Sequence, residues 1–144
     1  MNKTSALSPL AGAAKASAIA LYAKPSPGYA AKRAAAEALL RRAAALGAVT
    51  QANSLGVEDM VLTDMIRRLQ LPISVFVLET GRLHTETLAL LERTQALEGI
   101  EVQVFRPKQE AVIQFIRTQG QDAIYNSVAQ RKACCDIRKM EPLS

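Results

Sequence analysis

"ISVFVLETGRLHTET", residues 73–87, is the stretch on which the fold turns. Residues 73–79 are β-branched and almost wholly apolar, the composition of a strand covered on both faces, as in a parallel sheet. Thr80 and Gly81 end the run, and "TETLALLERTQAL" (85–97) takes up helical spacing. A buried strand running into a helix is half of a β-α-β unit, and the flanks supply the rest. Upstream, "AVTQANS" (48–54) reads as a short strand. "VEDMVLTDMIRRLQ" (57–70) follows as a helix, with Val57, Val61, Leu62, Met65, Ile66 and Leu69 at helical intervals. Downstream, "IEVQVF" (100–105) alternates like a strand, "QEAVIQFIRTQG" (109–120) is a helix stopped by Gly120, and "SVAQRKACCDIRKM" (127–140) is a last helix ended by Pro142. An Ala-rich helix from Tyr29 to Leu46, with Leu39, Leu40 and Leu46 toward a core, stands in front, and Gly47 closes it. The order is helix, then β-α-β-α-β-α-α. That alternation predicts an α/β fold, a Rossmann-like parallel sheet with helical crossovers. Three strands are few for such a sheet, and the last helix has no strand after it, so the sheet is expected to be incomplete.

Composition narrows the classes of function. The 144 residues are 49% hydrophobic but only 4% aromatic, with no Trp, so the core is aliphatic. No apolar run approaches the roughly 20 residues of a membrane helix. Residues 1–24 are small, polar and free of acids. Pro9, Gly12 and Lys15 interrupt their apolar run, so residues 1–28, including the "PSPG" turn at 25–28, are expected to form a flexible N-terminal tail. The net charge of +5 is uneven: +6 over residues 1–50, −3 over 51–100 and +2 over 101–144. With no interleaving of Arg and aromatics, this is not the pattern of a nucleic-acid face. Two cysteines without a spaced framework fit a reducing cytoplasm better than a secreted, disulfide-stapled domain.

Parallel sheets bind ligands at the carboxyl ends of their strands. Three loops lie there. "NSLGVED" (53–59) offers Ser54 as a cap or anion donor and Gly56 for close approach; its plainer reading is a capped turn into a helix. "LETGRLHTET" (78–87) offers Thr80, Gly81, Arg82 and the single histidine, His84; its plainer reading has Thr85 as the helix cap and Arg82 solvated. "FRPKQE" (105–110) adds Arg106 and Lys108, which read equally as a solvated basic turn.

"RKACCDIRK" (131–139) sets both cysteines side by side among Arg131, Lys132, Arg138 and Lys139. A disulfide between neighbours is strained: adjacent Cα atoms are about 3.8 Å apart, and relaxed disulfides want roughly 4.4–6.8 Å. A pair of small buried side chains and a metal or cluster site both stay open.

"NSLGVEDMVL", "LETGRLHTET" and "QRKACCDIRKMEPL" together resemble the assimilatory sulfonucleotide reductases, and the last motif resembles the adenylyl-sulfate (APS) reductases in particular. The resemblance runs from about residue 48 to 144. It implies an adenine nucleotide alpha hydrolase-like fold, here truncated at the C-terminus, with residues 29–144 as an incomplete reductase domain. It implies a [4Fe-4S] cluster held in part by Cys134 and Cys135. Successive helix residues point about 100° apart, so adjacent thiolates suit different irons of a cluster better than one tetrahedral zinc. Lys139 would link the cluster electrostatically to the sulfate end of the substrate. Nucleotide contacts would fall to Ser54, Leu55, Gly56, Thr80, Gly81, Arg82 and Leu83. The implied reaction converts APS and reduced thioredoxin to sulfite, AMP and oxidised thioredoxin, through a thiosulfonate on a cysteine near the end of the complete protein.

This sequence departs from that pattern. The family's second cysteine pair, a CxxC, and its nucleophilic cysteine have no counterpart in these 144 residues, so no catalytic residue is assigned here and the chain alone is expected to be inactive. Glu79 stands where Asp is common before Thr, and Thr85 where Pro is common. The competing expectations are a phosphoadenylyl-sulfate (PAPS) reductase, a nucleotide-binding remnant, or a zinc site built from Cys134, Cys135 and His84 with Asp136 or water. Adenylyl sulfate and thioredoxin are the expected partners, a homo-oligomer is left open, and neither nucleic acid nor membrane is expected.

Overall fold

The computed structural model describes residue 24 and residues 26–144, so most of the tail expected over residues 1–28 lies outside the described residues. Helix α1 (Tyr29–Ala44) leads into β1 (Val49–Ala52), α2 (Val57–Arg68), β2 (Ile73–Leu78), α3 (Thr85–Gln95), β3 (Val102–Phe105) and α4 (Gln109–Gln119). A short 3₁₀ turn (Ala123–Tyr125) precedes α5 (Val128–Cys135), which runs into a π turn (Asp136–Met140) and a last 3₁₀ turn (Glu141–Leu143). Among the described residues the sheet has three strands in the order β1-β2-β3. Both pairings are parallel, with Val49 opposite Ile73 and Val75 opposite Val102. No helix of the described residues is long and apolar enough to cross a membrane.

One face of the sheet is buried more deeply than the other. Ile73, Val75 and Val77 are buried, and Val77 packs with Leu55 and Leu91 in a core that Met60, Leu90, Val102 and Val104 extend. Helices α2 and α3 therefore lie on that face, adding Ile66, Thr63 and Thr94 to the buried set. The alternate residues Ser74, Phe76 and Leu78 are only half-buried, and Phe76 meets Phe105 edge-on, ring centroids 5.7 Å apart. The expectation that residues 73–79 are covered on both faces is thus met on one face among the described residues. The apolar residues of the second face, Phe76 and Leu78, are covered only in part.

Helix α1 also differs from expectation. Leu39 is 60% exposed and Leu46 86% exposed, and α1 contains no buried residue. Its alanines bury little area each, and Lys32, Arg33, Arg41 and Arg42 break up the stripe a core face needs. The last helix is shorter than the single run expected over 127–140. It stays α-helical to Cys135, and the backbone then widens into the π turn that carries Arg138 and Lys139. Such turns often mark functional positions, because they change the angle at which side chains leave the helix.

Candidate functional site

The loop after β1 is built by its own side chains. Asn53, 3% exposed, accepts from the Leu55 amide (2.6 Å) and donates to Thr63 Oγ1 (2.8 Å). Thr63 in turn donates within reach of Gln51 Oε1 (2.9 Å) and the Asp59 carbonyl (3.0 Å). This network bends the chain so that Leu55 adopts a left-handed φ of 66° while its side chain enters the core. A non-glycine residue there costs on the order of 1–3 kcal/mol and persists only where its surroundings impose it. Gly56, by contrast, has φ −70°. Its glycine character is spatial: a Cβ would stand 3.2 Å from Ser54 Oγ and 3.4 Å from Glu58 Oε2. One carboxylate oxygen of Asp59 accepts from both the Ser54 amide (2.8 Å) and the Ser54 hydroxyl (2.6 Å). Those two bonds, the side-chain one foremost, hold the Asp59 carboxyl below its ordinary value.

The lowered Asp59 value ties stability to pH. A group whose folded value is depressed contributes stability above its unfolded value, about pH 4 for Asp, and loses it as pH falls through the lower folded value. Asp59→Asn is expected to flatten the acid limb of stability below about pH 4. Urea midpoints measured across that limb decide it; coincident limbs for parent and variant would refute it.

At the end of β2, the Gly81 amide donates to Glu79 Oε1 (2.6 Å), and Glu79 Oε2 faces Arg106 Nε at 3.4 Å. Arg106 thus stands beside Glu79 with its side chain 59% exposed, largely solvated as in the basic-turn reading. Arg82 donates to the Gln121 carbonyl (3.0 Å). His84 is exposed and occupies the N-cap of α3, a position expected for Thr85, with no side-chain capping bond. Lys108 is the N-cap residue of α4.

The cysteine segment closes over this loop. Ser127 caps α5 by accepting from the Gln130 amide (3.1 Å). Cys134 is buried with Phe115 and Ala123, and Cys135 is half-buried; both are free thiols. From the π turn, Arg138 donates to the Thr80 carbonyl across the fold (2.6 Å), and its guanidinium is 3.2 Å from where a Gly81 Cβ would stand. Gly81 has φ 72°, so glycine there answers both a backbone and a packing demand. Arg138 is 7% exposed. Nothing in its sequence neighbourhood set it apart from Arg131 or Lys132; only the contact with Thr80 does.

Thr80, Arg82, Cys134, Cys135, Arg138 and Lys139 line one cavity of about 240 Å³, together with Arg131 and Tyr125. Ser54, Leu55, Gly56, Gly81 and Leu83 are not in its wall. They belong to loops at the same edge of the sheet, after β1 and β2. A larger cavity of about 500 Å³ lies at the opposite edge, between residues such as Val49, Pro72 and Ile100, and has neither a cation nor a thiol in its wall. Among the described residues no three His, Cys, Asp or Glu side chains converge on a metal position. The expected zinc set of Cys134, Cys135 and His84 is therefore not formed: His84 sits on the solvent side of the α3 start, away from the thiols' cavity. The two thiols with surrounding cations do fit part of an iron–sulfur ligand set, since thiolates hold such clusters and positive side chains offset the charge.

Residues 48–144 match the family described as the phosphoadenosine phosphosulfate reductase domain. The chain belongs to this family. It is 46% identical over 110 residues to an adenosine 5′-phosphosulfate reductase of Allochromatium vinosum, which covers 76% of the chain and 43% of that protein. Similar proteins of the same name occur in Burkholderia cepacia (47% over 93 residues, 65% of the chain and 37% of the relative) and Neisseria meningitidis serogroup B (47% over 94 residues, 65% and 38%). The chain thus spans about two fifths of the length of these sulfonucleotide-reductase relatives.

Proposed function

We propose that the complete protein reduces adenylyl sulfate to sulfite and AMP in sulfate assimilation, taking two electrons from reduced thioredoxin in the cytoplasm. The observation that supports this most is the cavity in which both cysteines and Lys139 meet the strand-end residues Thr80 and Arg82. The names of the relatives supply the substrate. In this reading Ser54, Leu55, Gly56, Thr80, Gly81, Arg82 and Leu83 contact the nucleotide. Lys139 neutralises the sulfate end, and Cys134 and Cys135 supply two thiolate ligands to a [4Fe-4S] cluster. When bound, such a cluster would tune the local charge. The remaining ligands and the nucleophilic cysteine belong to sequence outside these 144 residues. That thiolate attacks the sulfate sulfur, AMP leaves with the bridging oxygen, and a thiosulfonate remains. Thioredoxin's dithiol then releases sulfite and becomes a disulfide. This chain's residues contribute binding, orientation and charge to that sequence, and by themselves give no turnover.

The test is sulfite release by the anaerobically purified full-length protein, with adenylyl sulfate and phosphoadenylyl sulfate compared and reduced thioredoxin as donor. Adenylyl sulfate is the expected substrate, and Cys134→Ser or Cys135→Ser is expected to remove both iron and turnover. Full turnover by the doubly substituted protein, or none from the parent with either nucleotide, would contradict the proposal.

A further inference from the structure

The Ser54 hydroxyl is placed as though for an anion, at a strand end and before a helix. Its hydrogen bonds point the other way. Its proton is given to Asp59 at 2.6 Å, and the same carboxylate oxygen takes the Ser54 amide at 2.8 Å. Both donors of Ser54 are therefore spent on a charged acceptor. A hydroxyl has one proton and two lone pairs. One lone pair of Ser54 Oγ receives the Gly56 amide at 3.3 Å, and the other is left. To donate to a phosphate or sulfate oxygen, Ser54 would have to give up a short charge-assisted bond, the stronger class of hydrogen bond, while bringing a second anion beside Asp59.

We infer that Asp59 is a specificity-determining positioning residue, which turns Ser54 into an acceptor so that the β1 loop recognises a hydrogen-bond donor on the nucleoside, a ribose hydroxyl or the adenine amine, and not the phosphosulfate. This rests on the proposed nucleotide contact of Ser54. The anionic end of the ligand is then left to the cationic cavity after β2, where Arg82, Arg138 and Lys139 stand. The two loops divide the ligand by polarity: acceptors for the nucleoside, cations for the anion.

The probes are adenosine, which is neutral, and AMP, each titrated by calorimetry into the full-length protein. Ser54→Ala is expected to weaken both by the same factor, about tenfold, the size of one lost hydrogen bond. Asp59→Ala is expected to weaken adenosine by a similar factor. Combined with Ser54→Ala it adds little, because Asp59 acts through that hydroxyl. Asp59→Asn, whose amide oxygen still accepts from Ser54, is expected to keep adenosine binding close to the parent's. A purely structural Asp59 would lower thermal stability in Asp59→Ala without this non-additivity. If Ser54→Ala weakens AMP and spares adenosine, Ser54 serves the anion, and the inference falls while nucleotide binding by this loop stands. If neither substitution changes either affinity, the inference falls as well. If the parent binds neither ligand, the nucleotide reading itself is wrong and takes the inference with it.

Discussion

Replacing Asn53 with alanine is expected to destabilise the fold by about 2–4 kcal/mol, from the loss of buried hydrogen-bond partners at more than one group. Asn53 is the hub of the first loop: its carbonyl oxygen holds the Leu55 amide, and its amide nitrogen holds Thr63. All three residues are buried, and among the described residues no buried side-chain polar atom lacks a partner. Removing the hub leaves the Leu55 amide without a partner in a place water reaches poorly. It also removes the contact that keeps Leu55 left-handed, so Ser54 and Gly56 should lose their positions together. Asn53→Asp keeps the acceptor for Leu55 but loses the donor to Thr63 and buries an unpaired carboxylate, so at neutral pH it should cost at least as much as alanine. Urea unfolding gives the stability, and AMP titration reports on the loop. An Asn53→Ala protein with parental midpoint and parental AMP affinity would show that the loop is held by other means.

Arg138→Ala is expected to cost about 2–3 kcal/mol, mostly the charge-assisted bond to the Thr80 carbonyl. It should also cost function beyond stability. The guanidinium ties the segment carrying the cysteines to the loop after β2, and it lines the cavity between them. On the proposed cluster reading, a supporting contact of this kind changes metal affinity or activity by about 10–100-fold. Arg138→Lys restores the charge but not the planar fork, so it should recover part of the stability and less of the iron content. Gly81→Ala attacks the same contact from the other side, through a Cβ 3.2 Å from the guanidinium and a φ of 72°. Iron content and urea midpoint, measured on the full-length protein, test both. Parental values for Arg138→Ala would mean the Thr80 contact is incidental.

Several residues of this candidate site are legible in the sequence. Cys134 and Cys135 stood out because adjacent thiols among cations are chemically odd, and Lys139 only through the resemblance to the sulfonucleotide reductases. The Thr80–Gly81 break stood out because it ends an apolar strand. What was not legible were the partners. Asp59 looked like an ordinary acid in the first turn of a helix, Asn53 like a loop residue, and Arg138 like one of four neighbouring cations. Each owes its role to a contact with another segment: Arg138 reaches Thr80 across 58 positions of the chain, and Asn53 reaches Thr63 across ten. His84, conspicuous as the single histidine, stands exposed at a helix start, close to its plainer reading.

The sequence by itself determined the order of strands and helices, the parallel sheet and the two cysteines, because hydrophobic periodicity and turn chemistry act over a few residues and need no distant partner. The tertiary structure alone decided that one face of the sheet is buried more deeply than the other, that α1 leaves Leu39 exposed and Leu40 half-buried, and that the cysteine helix widens into a π turn. It also decided which cations meet the thiols. Those outcomes depend on which surfaces come together in space, and local pattern carries no record of that. A leucine reads the same whether or not a helix arrives to cover it, and an arginine the same until a carbonyl from another strand end stands 2.6 Å away.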